Sequence, residues 1–99
     1  MYQNISMQDF QKKATTESLN IIDVRTVEQF EAGHVPSAMS VPLDELEQSI
    51  DQLDKEKEYY VMCQLGIKSQ KASELLAAKG YKVVNVDGGA KDWVGELEK

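Results

Sequence analysis

A chain of 99 residues with 41% hydrophobic and 28% charged side chains can bury one core without a disulfide or a structural metal, and it is too short for two. Two prolines and six glycines exclude collagen-like and low-complexity classes, and a formal charge of -6 with no basic stripe beyond Lys12-Lys13 argues against a duplex nucleic-acid binder. No run approaches the roughly 20 apolar residues of a bilayer span, and Met1-Tyr2-Gln3-Asn4 lacks the features of a signal peptide, so one cytoplasmic domain over residues 1–99 with no membrane partner is expected.

Ser6 is a helix-cap candidate, with Asp9 three residues on and helical spacing at Phe10 and Ala14. The β-branched run Leu19-Asn20-Ile21-Ile22-Asp23-Val24 then predicts a buried parallel strand. Asp23 and Arg25 stand at or just past its carboxyl end, where open α/β sheets place their sites. Val27 to Ala32 predicts a short helix ended by Gly33. His34-Val35-Pro36-Ser37-Ala38-Met39-Ser40-Val41 reads as a loop feeding a brief strand, with Pro42 opening a helix that carries Leu43, Leu46 and Ile50 on one face. The charged stretch 51–58 is a solvated turn.

Tyr59-Tyr60-Val61-Met62 has the bias of a central strand and runs straight into Cys63-Gln64-Leu65-Gly66-Ile67-Lys68-Ser69. Ala72, Leu75, Leu76 and Lys79 repeat at helical spacing, and Gly80 supplies the stop. Tyr81-Lys82-Val83-Val84-Asn85-Val86 predicts the last strand, followed by the turn Asp87-Gly88-Gly89 and a terminal helix holding Trp93, Val94 and Leu97. Strands thus alternate with helices throughout, which predicts a three-layer α/β domain around a parallel sheet.

Cys63 is the chain's one cysteine, so it forms no internal disulfide, zinc finger or CxxC pair. It follows a buried strand, precedes a glycine-containing loop and lies within a few residues of a helix start. N–H groups of a first helical turn have no intrahelical partners and stabilise negative charge. A thiolate, the nucleophilic form of cysteine, is such a charge. Three readings fit this spacing: a buried small hydrophobe, a sulfur nucleophile, and a phosphate-binding loop whose cysteine attacks phosphorus.

The loop from Cys63 to Ser69 resembles the active-site loop of the rhodanese-like family. Three more landmarks accompany it in order: Ile21-Ile22-Asp23-Val24-Arg25 with Glu28 and Phe30, Gly33-His34-Val35-Pro36-Ser37-Ala38, and Asn85-Val86-Asp87-Gly88-Gly89 with Trp93. The resemblance covers about Ile5 to Trp93. It implies a small bacterial-type sulfurtransferase with a central, mostly parallel five-stranded sheet flanked by helices, its first strand near Asn4 and Ile5. It implies a thiosulfate sulfurtransferase-like mechanism: Cys63 takes the sulfane sulfur of a small anionic donor such as thiosulfate, or of a persulfide donor, holds it as a persulfide, and passes it to cyanide or a thiol. A low-molecular-weight thiol or a thioredoxin-like protein would serve as acceptor, and no cofactor or metal is implied.

Within that resemblance Gln64, Leu65, Gly66, Ile67, Lys68 and Ser69 form the substrate cradle, while Asp23, Arg25 and His34 are structural groups near the site. Arg25 is expected to pair with Glu28, and Trp93 to sit in the core or at the rim. Lys68 departs from the arginine that many bacterial members carry, exchanging a rigid two-pronged fork for a mobile point charge. A phosphatase or arsenate-reductase-like use of the loop would want an arginine six residues after the cysteine, where Ser69 stands. A non-catalytic binding module gives no reason for Cys63 and its loop.

Overall fold

The computed structural model of the chain describes residues 2–99. Five strands, β1 (Gln3–Ile5), β2 (Asn20–Asp23), β3 (Ala38–Ser40), β4 (Glu58–Met62) and β5 (Lys82–Val86), form one sheet in the order β1-β5-β4-β2-β3. All four pairings are parallel. The helices are α1 (Met7–Thr16), α2 (Val27–Ala32), α3 (Leu46–Ser49) and α4 (Ile67–Ala78). Among the described residues no helix is long and apolar enough to cross a membrane.

Strand parity divides the core in two. Successive side chains of a strand point to opposite faces, so Ile22, Val24, Tyr59, Val61, Cys63 and Val83 bury themselves with Leu46, Ile50, Ala72 and Leu76 beneath α3 and α4. Ile21, Tyr60, Met62, Val84 and Val86 face the other way, toward Met7, Phe10, Val35 and Trp93. Continuous apolar strands are what a sheet covered on both faces requires. The parity that buries Val61 under α4 also puts Cys63, two residues on, on the α4 face.

Local signals behave as expected at α1, where the Ser6 hydroxyl accepts from the Asp9 N–H at 3.1 Å. At the end of α4 the N–H groups of Gly80 and Tyr81 return to the carbonyls of Ala77 and Leu76, which closes the helix by pairing two of its last carbonyls. The expected helix after Pro42 is instead three short pieces. The 3-10 turns Leu43–Glu45 and Ile50–Gln52 flank α3, and the last two pieces bury Leu46 and Ile50.

The expected terminal helix is absent, and its place is taken by one 3-10 turn, Ala90–Asp92, followed by an irregular strap. Three contacts give the reason. The Trp93 indole N–H donates to the Glu96 carbonyl, Val94 exchanges hydrogen bonds with the side-chain amide of Gln11, and Glu98 pairs its backbone with His34 through N–H to carbonyl bonds of 2.8 and 2.9 Å. Trp93 packs edge-on against Phe10 at 6.0 Å, on the face away from α4.

Candidate functional site

In chain order β2 leads outward to β3 and β4 leads the opposite way to β5, so the connections diverge between β2 and β4. That is where an open α/β sheet leaves a crevice at its carboxyl edge. Arg25 follows β2 and Cys63 follows β4, and both line a cavity of about 300 Å3 together with Gln29, Gln64, Leu65, Ile67 and Lys68.

Cys63 is 1% exposed and its sulfur is a free thiol. Its Sγ accepts two backbone N–H bonds, from Gly66 at 3.0 Å and from Ser69 at 3.2 Å. Gly66 is the N-cap of α4 and Ser69 lies in its first turn, so donors that the helix leaves unpartnered are spent on the sulfur. Gly66 reaches this position in the left-handed conformation, φ +90°, which side chains resist. A twelve-residue helix adds the positive end of its dipole at the same point. The arrangement can hold an anionic sulfur and keep it aimed into the cavity.

The loop is also held from below. The Ala90 N–H donates to the Cys63 carbonyl at 2.6 Å, and the turn before it packs so closely that a Cβ at Gly89 would overlap the Gln64 carbonyl and lie 2.8 Å from that of Cys63. Only a residue without a side chain fits there.

Arg25 is buried, as is its partner Asp23. The guanidinium meets both carboxylate oxygens, with Nη2 to Oδ2 at 2.8 Å and Nε to Oδ1 at 3.0 Å. The expected pairing with Glu28 does not occur. Arg25 precedes the Thr26 cap of α2, so the three-residue separation does not put the two side chains on one helical face, and Glu28 stays exposed. The same guanidinium donates to the Gly33 carbonyl at 2.8 Å and to Gln64 Oε1 at 3.2 Å. It thereby ties β2, the end of α2 and the residue after Cys63 into one unit.

His34 lies outside the cavity lining. Its ring stacks on Phe30 at 3.8 Å, Nδ1 lies 2.9 Å from the Phe30 carbonyl, and Nε2 is 3.8 Å from Glu98. Gly66 and Ser69 face the sulfur through their backbones, whereas Gln64, Leu65, Ile67 and Lys68 face the cavity. Gln29 is a lining residue that sequence reasoning passed over. Its signal was legible, since Thr26 and Gln29 have capping-box spacing and the Gln29 N–H donates to the Thr26 hydroxyl at 3.2 Å.

The rhodanese-like domain model matches residues 6–96. The chain belongs to the rhodanese-like domain family. A rhodanese-like domain protein from Staphylococcus aureus superposes with a TM-score of 0.90 at 34% identity, covering 97% of this chain and 96% of that one. YrkF of Bacillus subtilis, named for a proposed role as a sulfur carrier, is 38% identical over 96 residues. Those residues are 95% of this chain and 52% of YrkF, so the chain spans about half the length of that relative. The thiosulfate sulfurtransferase GlpE of Coxiella burnetii is 31% identical over 94 residues, 94% of this chain and 88% of GlpE.

The close approach of the diglycine turn makes a prediction. Gly89→Ala should displace the Cys63–Gln64 backbone, cost about 1–3 kcal/mol of stability and slow alkylation of Cys63. Gly80→Ala, whose Cβ would meet nothing nearer than the Lys55 ammonium at 3.8 Å, is the control for glycine loss away from the loop. Urea melts and iodoacetamide rates, read by intact mass, check both. Equal alkylation rates in the two variants would show that the turn does not position the sulfur.

Proposed function

We propose that this rhodanese-like chain is a sulfurtransferase that carries sulfane sulfur as a Cys63 persulfide. The observation that bears most weight is the pair of N–H groups, from Gly66 and Ser69, aimed at Sγ on the floor of a cavity. The names of YrkF and GlpE, a proposed sulfur carrier and a thiosulfate sulfurtransferase, point the same way.

The first half-reaction begins with the Cys63 thiolate attacking the terminal sulfur of thiosulfate. A new S–S bond forms, the old one breaks, and sulfite leaves with the bonding pair, so the charge now rides on the outer sulfur. In the second half-reaction a nucleophile, cyanide or a thiolate, takes that outer sulfur and returns Cys63 as thiolate. Both states are anionic, and donors already in place stabilise charge without having to reorganise as it moves. Gln64, held by Arg25, and the rest of the loop to Ser69 line the path of the donor and shape its cradle, with Asp23 fixing Arg25 and His34 bracing the neighbouring turn. A low-molecular-weight thiol or a thioredoxin-like protein is the acceptor, and a reducing cytoplasmic setting keeps Cys63 available.

Phosphatase chemistry on this loop would want a guanidinium to grip the phosphoryl oxygens. The chain's one arginine is Arg25, and it is committed to Asp23, Gly33 and Gln64.

Incubation with thiosulfate should add the mass of one sulfur atom to the chain and nothing to Cys63→Ser. No adduct with thiosulfate or any other sulfane donor would remove the reading. Lys68 should act by recruiting the anion: Lys68→Ala should raise KM for thiosulfate several-fold with a smaller effect on kcat, the difference shrinking at high salt because an exposed charge is screened. Steady-state kinetics at two ionic strengths would test this, and an unchanged KM would place Lys68 off the donor path.

A further inference from the structure

Two glutamines line the cavity, Gln29 from α2, which follows β2, and Gln64 from the loop that follows β4. Each side-chain amide is oriented by a partner that can only donate. The Thr26 backbone N–H donates to Gln29 Oε1 at 3.2 Å, and the Arg25 guanidinium donates to Gln64 Oε1 at 3.2 Å. Neither a backbone N–H nor a guanidinium has a lone pair to accept with, so a flipped amide would set donor against donor. The oxygen of each amide is therefore held by the protein. Among the described residues neither amide nitrogen has a hydrogen-bond partner, and on a side chain that lines a cavity it is the polar end left for a ligand.

Gln29 also stands on a helix pinned at both ends. At the start of α2 the Gln29 N–H donates to the Thr26 hydroxyl at 3.2 Å, completing the capping box. At its end the Gly33 N–H returns to the Phe30 carbonyl at 3.1 Å, and the Gly33 carbonyl accepts from Arg25 at 2.8 Å. Arg25 thus fixes the end of α2 and the Gln64 amide together. Donors held in this way stabilise developing charge without having to turn toward it. No carboxylate lines the cavity to oppose them.

We propose that Gln29 is a substrate-contacting residue of the transfer reaction, its Nε2 amide donating to the oxygen end of the sulfur donor across the cavity from Gln64. This rests on the sulfur-transfer reading above and adds to it a residue outside the Cys63 loop. Displacement at a divalent sulfur runs in line, so the departing sulfite lies on the far side of the attacked sulfur from Sγ. The Gly66 and Ser69 N–H groups hold the sulfur at the floor, and the leaving oxygens point up toward the walls, one of which is α2. As the S–S bond breaks, the electron pair and its charge pass to sulfite, which strengthens a hydrogen bond from Gln29 at that moment.

Gln29→Glu separates this role from the structural one. Its carboxylate keeps an oxygen for the Thr26 N–H, which preserves the cap, and puts an anionic acceptor where the amide donor stood. Rapid quench and intact mass read the rate of Cys63 persulfide formation from thiosulfate. The inference expects Gln29→Glu to load about tenfold or more slowly than the wild type, with the urea midpoint and the rate of alkylation by neutral iodoacetamide unchanged. Gln29→Ala, which removes the donor without adding charge, should lose several-fold after normalisation to its own alkylation rate, at low and high salt alike. Salt separates a lost hydrogen bond from through-space repulsion, which is screened. Wild-type loading in Gln29→Ala, or losses matched by equal losses in alkylation, would overturn the inference and leave sulfur transfer standing. Loading of the wild type by alkyl persulfides alone, which carry no oxygen end, would overturn it in the same way. Failure of every sulfane donor to load the wild-type Cys63 would overturn the transfer reading itself, and the inference with it.

Discussion

Two backbone N–H groups at the first turn of α4 converge on one sulfur atom, and much of the site's construction serves to bring that about. The distances of 3.0 and 3.2 Å from Gly66 and Ser69 to Sγ require the chain to leave β4, turn back within three residues and start a helix whose open end faces its own strand. Strand parity sends the Cys63 side chain toward α4, a left-handed Gly66 makes the turn, and the diglycine at 88–89 lets the β5 turn lie directly beneath the loop. Each of these is a local condition. Together they pre-place two donors around Sγ, where they could stabilise charge without reorganising in the proposed reaction.

The buried Asp23–Arg25 pair fits the same logic. Buried ion pairs are costly to assemble, because both charges leave water, and they tend to repay that cost in geometry rather than in stability. Here the geometry is a guanidinium locked by a carboxylate on β2 that then reaches Gly33 on one side and Gln64 on the other. The pair joins the connection after β2 to the loop after β4 across the crevice between them, and the walls of the cavity are set by that link.

Much of this was legible in the residues. The β-branched and aromatic bias of Tyr59-Tyr60-Val61-Met62 marks a central strand that runs straight into Cys63, and the Ser6 and Gly80 signals mark the start of α1 and the end of α4 correctly. What was not legible depends on tertiary partners. β1 is three residues long and carries no pattern of its own; its place at the edge comes from pairing with β5. The strap after Trp93 has apolar residues at helical spacing, yet His34 and Gln11 capture its backbone groups outside any helix. Arg25 chooses Asp23 over Glu28 because one carboxylate is buried beside it at the strand end and the other remains in water, a difference that sequence separation does not encode.

The central claim is that the Gly66 and Ser69 N–H groups are placed to stabilise a thiolate at Cys63 Sγ, the starting state of the proposed transfer. The most direct measurement is a 1H–15N correlation spectrum of the chain before and after loading with a sulfane donor, with Cys63→Ala as the uncharged reference. The account predicts that the Gly66 and Ser69 amide protons lie downfield of their positions in Cys63→Ala, and that loading shifts these two more than the amides of α1 or β1. Matching Gly66 and Ser69 resonances in the native and Cys63→Ala chains, or no response of these amides to loading, would contradict it.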